Sequence, residues 1–148
     1  MKIVLGTDHA GFLLKEEVKK FLMSEGHEVI DVGAHDLESG DDYPDFIRPA
    51  AEKLASGEVE RGIILGGSGQ GEAMVANRVK GVRATVYYGG TTDIIKLSRE
   101  HNDANMLSLG ARFLSGDDAK HVVKMWLETN FSNDERHLRR ITKIDSIS

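Results

Sequence analysis

The stretch Gly62-Ile63-Ile64-Leu65-Gly66-Gly67-Ser68-Gly69-Gln70-Gly71-Glu72 passes from a short apolar run through a glycine-rich turn into a helical pattern over 72–79. Four to eight apolar residues bounded by glycine read as a buried strand. Working outward, similar runs occur at Lys2–Gly6, Glu28–Val32, Val82–Tyr87 and Met106–Leu109. Amphipathic helical patterns separate them, at Phe12–Ser24, Tyr43–Ala55, Thr92–Arg99 and Asp117–Thr129. Strands alternating with helices at this spacing imply right-handed crossovers and a parallel sheet with helices on both faces. The expected fold class is α/β, a Rossmann-like three-layer α/β/α sandwich around a five-stranded parallel sheet. No repeat, low-complexity tract or linker divides the chain, so residues 1–148 read as a single domain.

Composition narrows the function classes. A chain that is 40% hydrophobic and 29% charged is an ordinary globular sequence. Its net charge of −5 argues against a non-specific grip on nucleic acid. No cysteine is present, which removes disulfides, thiolate zinc sites and thiol nucleophiles. Carboxylates and histidines remain as bases. The opening Met1–Gly6 reads as a first strand and not as a cleavable signal, and the apolar runs are too short to span a membrane. A cytoplasmic setting with no nucleic-acid or membrane partner is the expectation.

Open α/β sheets bind ligands beyond the carboxyl ends of their strands. The first strand delivers Thr7-Asp8-His9-Ala10-Gly11 there, the third Gly66–Glu72, and the fifth Gly110-Ala111-Arg112. Glycines in succession let backbone N–H groups turn toward one centre, where a phosphate or a developing oxyanion is held. The same run also serves a tight strand-to-helix turn with no ligand. It lacks the Gly-Lys-Ser/Thr of a nucleotide loop, and it follows the third strand, so a dinucleotide role is weak.

Glu72, at the start of the helical pattern, either complements the helix dipole or faces the glycine cradle and moves a proton at a carbon beside a carbonyl. Asp8 either caps the helix that follows or, with His9, binds hydroxyls. His101-Asn102 falls at the amino edge of the fifth strand, opposite the glycine loop. If His101 is catalytic it reaches a partner subunit's site, so a homodimer follows from topology. The tail Asp134–Arg140 is locally basic, with Arg136 and Arg140 four apart on one helical face, suited to bidentate phosphate binding or to plain solvation. Leu138, Ile141 and Ile144 suggest that a C-terminal helix over about 134–146 docks on the partner chain. Trp126, the five methionines and Tyr87-Tyr88 read as packing.

Together these residues resemble ribose-5-phosphate isomerase of the B type, within the family shared with galactose-6-phosphate isomerase subunits. The resemblance is carried by Gly6–Gly11, Asp42-Tyr43-Pro44, Gly66–Glu72, Ala76-Asn77-Arg78, Gly81–Ala84, Ser98–Asn105 and Arg136-His137 with Arg139-Arg140. Many members place a cysteine base where this chain has Gly66; a subgroup without it uses a glutamate after the loop, matching Glu72. The resemblance therefore implies Glu72 as base for transfer between C1 and C2 of ribose 5-phosphate and ribulose 5-phosphate. It implies that His101, with Asp8 or His9, assists ring opening. Ser68, Gly69 and Gly71 would hold the enediolate, with Gly67, Tyr43 and Asn102 also at the substrate. Arg112, Arg136, His137 and Arg140 would hold the phosphate across a dimer, with the pairing of dimers into tetramers left open. No metal and no cofactor is implied. Left open are the same chemistry on allose 6-phosphate, galactose 6-phosphate or a tetrulose phosphate, and a non-catalytic sugar-phosphate module that needs the arginines and glycines but not Glu72.

Overall fold

Five strands and six α-helices follow one another along residues 1–147, the part of the chain that the computed structural model describes. The strands are β1 (Lys2–Thr7), β2 (Glu28–Asp31), β3 (Arg61–Gly66), β4 (Ala84–Tyr87) and β5 (Met106–Gly110). The helices are α1 (Phe12–Ser24), α2 (Pro44–Ala55), α3 (Gln70–Ala76), α4 (Asp93–Glu100), α5 (Gly116–Glu128) and α6 (Glu135–Asp145). Every strand pairing is parallel, in the order β2-β1-β3-β5-β4. The expected sandwich is present. The linear pattern did not carry the strand order, in which β5 lies between β3 and β4.

Strand periodicity divides the core. Ile3, Leu5, Ile63, Leu65, Leu107 and Leu109 face α1, α4 and α5, where Leu14, Val18, Leu22, Ile95, Val122 and Trp126 are buried. Their neighbours Val4, Ile64 and Met106 face the other way, onto Ile47, Ala50, Ala51 and Leu54 of α2 and Ala76 of α3. Successive strand residues point to opposite faces, so each central strand serves both layers. Trp126 is fully buried, as expected, and so is Met106; Tyr87 is also buried. The packing reading fails for Met1, Met23, Met74 and Tyr88, which are exposed. Thioether and phenol side chains are adaptable enough to sit at either place, so residue type alone did not decide.

Helix ends shift by small, explicable amounts. α3 begins at Gln70 and not at Glu72, because Gly69 at φ +80° turns the chain into the helix two residues earlier. It also ends at Ala76, short of Val79. Pro44 starts α2 at the position where its missing N–H is harmless. α6 is capped by Asp134, whose carboxylate accepts the Arg136 N–H at 3.1 Å.

One buried charge joins α1 to the sheet. Lys15 is fully buried and donates to both oxygens of Asp31 at 2.9 and 2.8 Å and to the Ala34 carbonyl at 2.5 Å. Burial by itself raises the Asp31 pKa, but hydrogen bonds from Lys15, the Gly33 N–H and Lys19 outweigh it and hold the group below 3.8. This contribution to stability is complete above the unfolded carboxylate pKa and disappears as pH falls through the lower folded value. Lys15→Met is expected to destabilise the fold by about 1–3 kcal/mol, since it removes the buried cation and leaves Asp31 only Lys19 and the Gly33 N–H. Urea unfolding at neutral pH reads the loss, and an unchanged midpoint contradicts it.

Candidate active site

The register of the sheet brings three strand exits to one level. Gly66 of β3 pairs with Gly110 of β5, and Leu65 pairs with Thr7 of β1. Thr7 is buried, and its hydroxyl donates to the Leu65 carbonyl at 2.9 Å, tying the first exit to the third. Above this level lies an open cavity of about 260 Å³ lined by Asp8, His9, Ala10, Tyr43, Gly67, Ser68, Gly71, Glu72 and Arg112. Eight of the residues singled out from the sequence therefore meet in one place.

The glycine loop owes its shape to close approach. The buried Ser108 hydroxyl of β5 donates to the Gly69 carbonyl at 2.6 Å, and a Cβ on Gly69 would stand 3.0 Å from that same hydroxyl oxygen. Gly71 abuts the Tyr43 hydroxyl, which a Cβ there would meet at 2.6 Å. Gly67 lies under Arg112, whose guanidinium would be 3.1 Å from an added Cβ. Arg112 is exposed and forms no ion pair among the described residues. A free guanidinium at the mouth of a glycine-lined cavity suits an anion.

Glu72 is 4% exposed, and its carboxylate folds back over Gly66. A Cβ at position 66 would overlap both carboxylate oxygens, so only glycine leaves Glu72 this place. Burial raises the Glu72 pKa above 4.5, with a smaller push from the Asp8 carboxylate, against a lowering contribution from its own backbone amide. A buried carboxyl group with a raised pKa in a cleft is the usual environment of a general acid–base. Asp8 is also buried, and one of its oxygens accepts the Ala10 N–H at 3.0 Å, so the capping reading of this residue is realised on a short 3-10 turn.

A second cluster forms at the opposite edge of the sheet. His101 and Asn102 are exposed after α4, and the His101 ring lies against His137 of α6 with centroids 4.3 Å apart. His137 is buried, and its Nδ1 is 2.9 Å from the Ser132 hydroxyl. Burial lowers the His137 pKa, helped by His101 and the nearby Arg136 and Arg140. The two arginines are exposed. Arg83 anchors α6 through a 3.2 Å bond to Asp145. Leu138 and Ile144 are 46% and 47% exposed, an uncovered apolar strip beside Arg140. None of His101, Asn102, Arg136, His137 or Arg140 lines the cavity of the same chain.

Asp41 was not singled out in the sequence. Its Oδ1 lies 2.6 Å from His9 Nδ1 and accepts the His9 backbone N–H at 3.2 Å. The only linear signal was an acid two residues before Tyr43-Pro44, indistinguishable from a helix-start residue. No helix among the described residues is long and apolar enough to cross a membrane.

Comparison with known proteins agrees with this fold. Residues 3–144 match the family model described as Ribose/Galactose Isomerase. A ribose-5-phosphate isomerase B structure from Clostridium thermocellum is 46% identical, with a TM-score of 0.93, covering 98% of this chain and 95% of that one. The Mycobacterium tuberculosis ribose-5-phosphate isomerase B is 40% identical over 141 residues, 95% of this chain and 86% of that protein. The Mycoplasma genitalium enzyme, solved with bound ribulose-5-phosphate, is 35% identical with a TM-score of 0.91, covering 97% of this chain and 93% of that one. With the match running through almost the whole chain and both edges of its sheet, this protein belongs to the ribose/galactose isomerase family.

Proposed function

We propose that the chain interconverts ribose 5-phosphate and ribulose 5-phosphate, with Glu72 as the base. The observation that carries the mechanism is the buried Glu72 carboxylate, lodged over Gly66 beside the loop Gly67–Gly71. Once the furanose is open, the Glu72 carboxylate takes the proton from C2. The electron pair moves into the C1–C2 bond, and the C1 carbonyl oxygen becomes the enediolate oxyanion. Ser68 and the backbone N–H groups of Gly69 and Gly71 stabilise that charge. Glu72 then returns the proton to C1, and a proton passes from O2 to O1 as the C2 carbonyl forms. Asp8 and His9 bind hydroxyls, and Tyr43 and Gly67 bound the substrate beside them.

The His101 cluster supports a homodimer. His101, Asn102, Arg136, His137 and Arg140 stand at the edge opposite Glu72, so in one chain they have no substrate to act on. A two-fold assembly that seats this edge, with Leu138 and Ile144, against the partner's cavity completes two sites at once. His101 then assists ring opening, and Arg136, His137 and Arg140 join Arg112 of the other chain on the phosphate. The relatives' names and the bound ribulose-5-phosphate of the Mycoplasma genitalium structure favour the five-carbon substrate.

A coupled assay across four-, five- and six-carbon sugar phosphates tests the assignment. Ribose 5-phosphate is expected to give the highest kcat/KM, and Arg136→Ala and Arg140→Ala each to raise its KM about tenfold or more. A higher kcat/KM for a hexose or tetrulose phosphate replaces the substrate, and unaltered KM in both variants removes the arginines from the site.

A further inference from the structure

We propose that Asp41 is a positioning residue for the isomerase reaction: it fixes the ring and the tautomer of His9, so that Nε2 faces the cavity as an acceptor for a sugar hydroxyl. Three observations meet here. Asp41 holds His9 at two points with one oxygen, the ring Nδ1 at 2.6 Å and the backbone N–H at 3.2 Å. A carboxylate only accepts, so in the neutral imidazole the ring proton resides on Nδ1 and the lone pair on Nε2. Nε2 has no hydrogen-bond partner among the described residues, and the ring, 29% exposed, lines the same cavity as Glu72 and Ser68.

The placement of Asp41 is not explained by stability. Its side chain is only 10% exposed, and Oδ2 is buried with no hydrogen-bond partner among the described residues. A buried unpaired carboxylate oxygen is unfavourable for folding. One oxygen of the group is left unpaired, and the other is given to a single neighbour, His9.

Asp8, His9 and Asp41 also bring potential metal-ligand atoms within 4.8 Å of one another. The geometry favours a hydrogen-bonded pair. Two ligands on one tetrahedral ion, at bonds of about 2 Å, stand roughly 3.3 Å apart, whereas Nδ1 and Oδ1 are at 2.6 Å. One Asp8 oxygen is already engaged by the Ala10 N–H.

A nearly apolar replacement of similar size separates positioning from folding. Asp41→Val is expected to lower kcat/KM for ribose 5-phosphate by about 10- to 100-fold, the range for a hydrogen bond to a charged group, without lowering the melting temperature. In a His9→Ala background the same substitution is expected to change kcat/KM no further, because Asp41 acts only through His9. An undiminished effect in that background overturns the proposal, as does wild-type kcat/KM in Asp41→Val. The kinetic arm rests on the isomerase reading, so a second arm reads the tautomer without turnover. Nitrogen-15 NMR of the wild-type protein in alkaline buffer is expected to show His9 protonated at Nδ1. Asp41→Val is expected to shift the proton to Nε2. Wild-type His9 protonated at Nε2 refutes the dyad whatever the substrate proves to be.

Discussion

Glu72→Gln is expected to lower kcat by about 10²–10⁴-fold, the range for loss of a general base, while sugar-phosphate binding survives. The argument is steric as well as chemical. Glutamine keeps the volume that Glu72 occupies over Gly66 and the hydrogen-bonding reach of the side chain, but it takes up no proton at neutral pH. A companion variant tests the same placement from the other side. Gly66→Ala puts a Cβ into the Glu72 carboxylate and is expected to reduce kcat sharply with little change in the melting temperature. Wild-type turnover in Glu72→Gln would remove Glu72 from the chemistry. The pH profile gives a third reading. Burial, with a smaller contribution from Asp8, raises the Glu72 pKa, so the acid limb of kcat is expected above pH 4.5. Below that limb Glu72 is protonated and cannot accept the C2 proton; above it the base is free.

Mixing Glu72→Gln with His101→Asn is expected to restore activity that neither variant has alone. Glu72→Gln lacks the base of one edge, and His101→Asn lacks the imidazole of the other. If each site takes Glu72 from one chain and His101 from its partner, a heterodimer of the two variants contains one intact site and one doubly defective site. Random reassortment makes half of the dimers mixed, so the pool recovers about a quarter of wild-type activity. Each variant alone is expected to keep only its own residual activity at any concentration. Co-refolding at equal ratio followed by a coupled assay measures this, and no recovery in a pool shown to contain heterodimers by mass would overturn the site shared between Glu72 of one chain and His101 of its partner. The geometry on which this rests is the separation within the chain, with Glu72 in the cavity above the carboxyl ends of the strands and His101 against His137 at the other edge.

Much of the site was legible because its signals are local. A strand ending in Gly66-Gly67-Ser68-Gly69 announces a strand-to-helix turn, and the exits after β1 and β5 follow from the sheet rule. His101 was assigned to the far edge by counting strand and helix alternation alone, and it stands there. Asp41 illustrates what local reading misses. Its importance lies in a hydrogen bond to a residue 32 positions earlier, and nothing in Asp41-Asp42-Tyr43 distinguishes that role from helix initiation. Lys15 is similar: a lysine on an amphipathic helix is normally solvated, and only the arrival of Asp31 and the Ala34 carbonyl from beside the sheet permits its burial.

Glu72 divides between the two kinds of information. Sequence by itself determined the α/β class, the glycine-rich third exit and the absence of any thiol, because periodicity, turn chemistry and composition act over a few residues. Those facts place an acid near an anion-holding loop but leave it a dipole-complementing surface residue. Tertiary structure decided the rest. Insertion of β5 beside β3 puts Ser108 against Gly69 and Arg112 over Gly67, and the vacant Cβ position of Gly66 admits the Glu72 carboxylate into a buried place. Burial and charge proximity depend on strands far apart in sequence meeting at one level. The raised pKa of Glu72 therefore belongs to the fold and not to its neighbours in the chain.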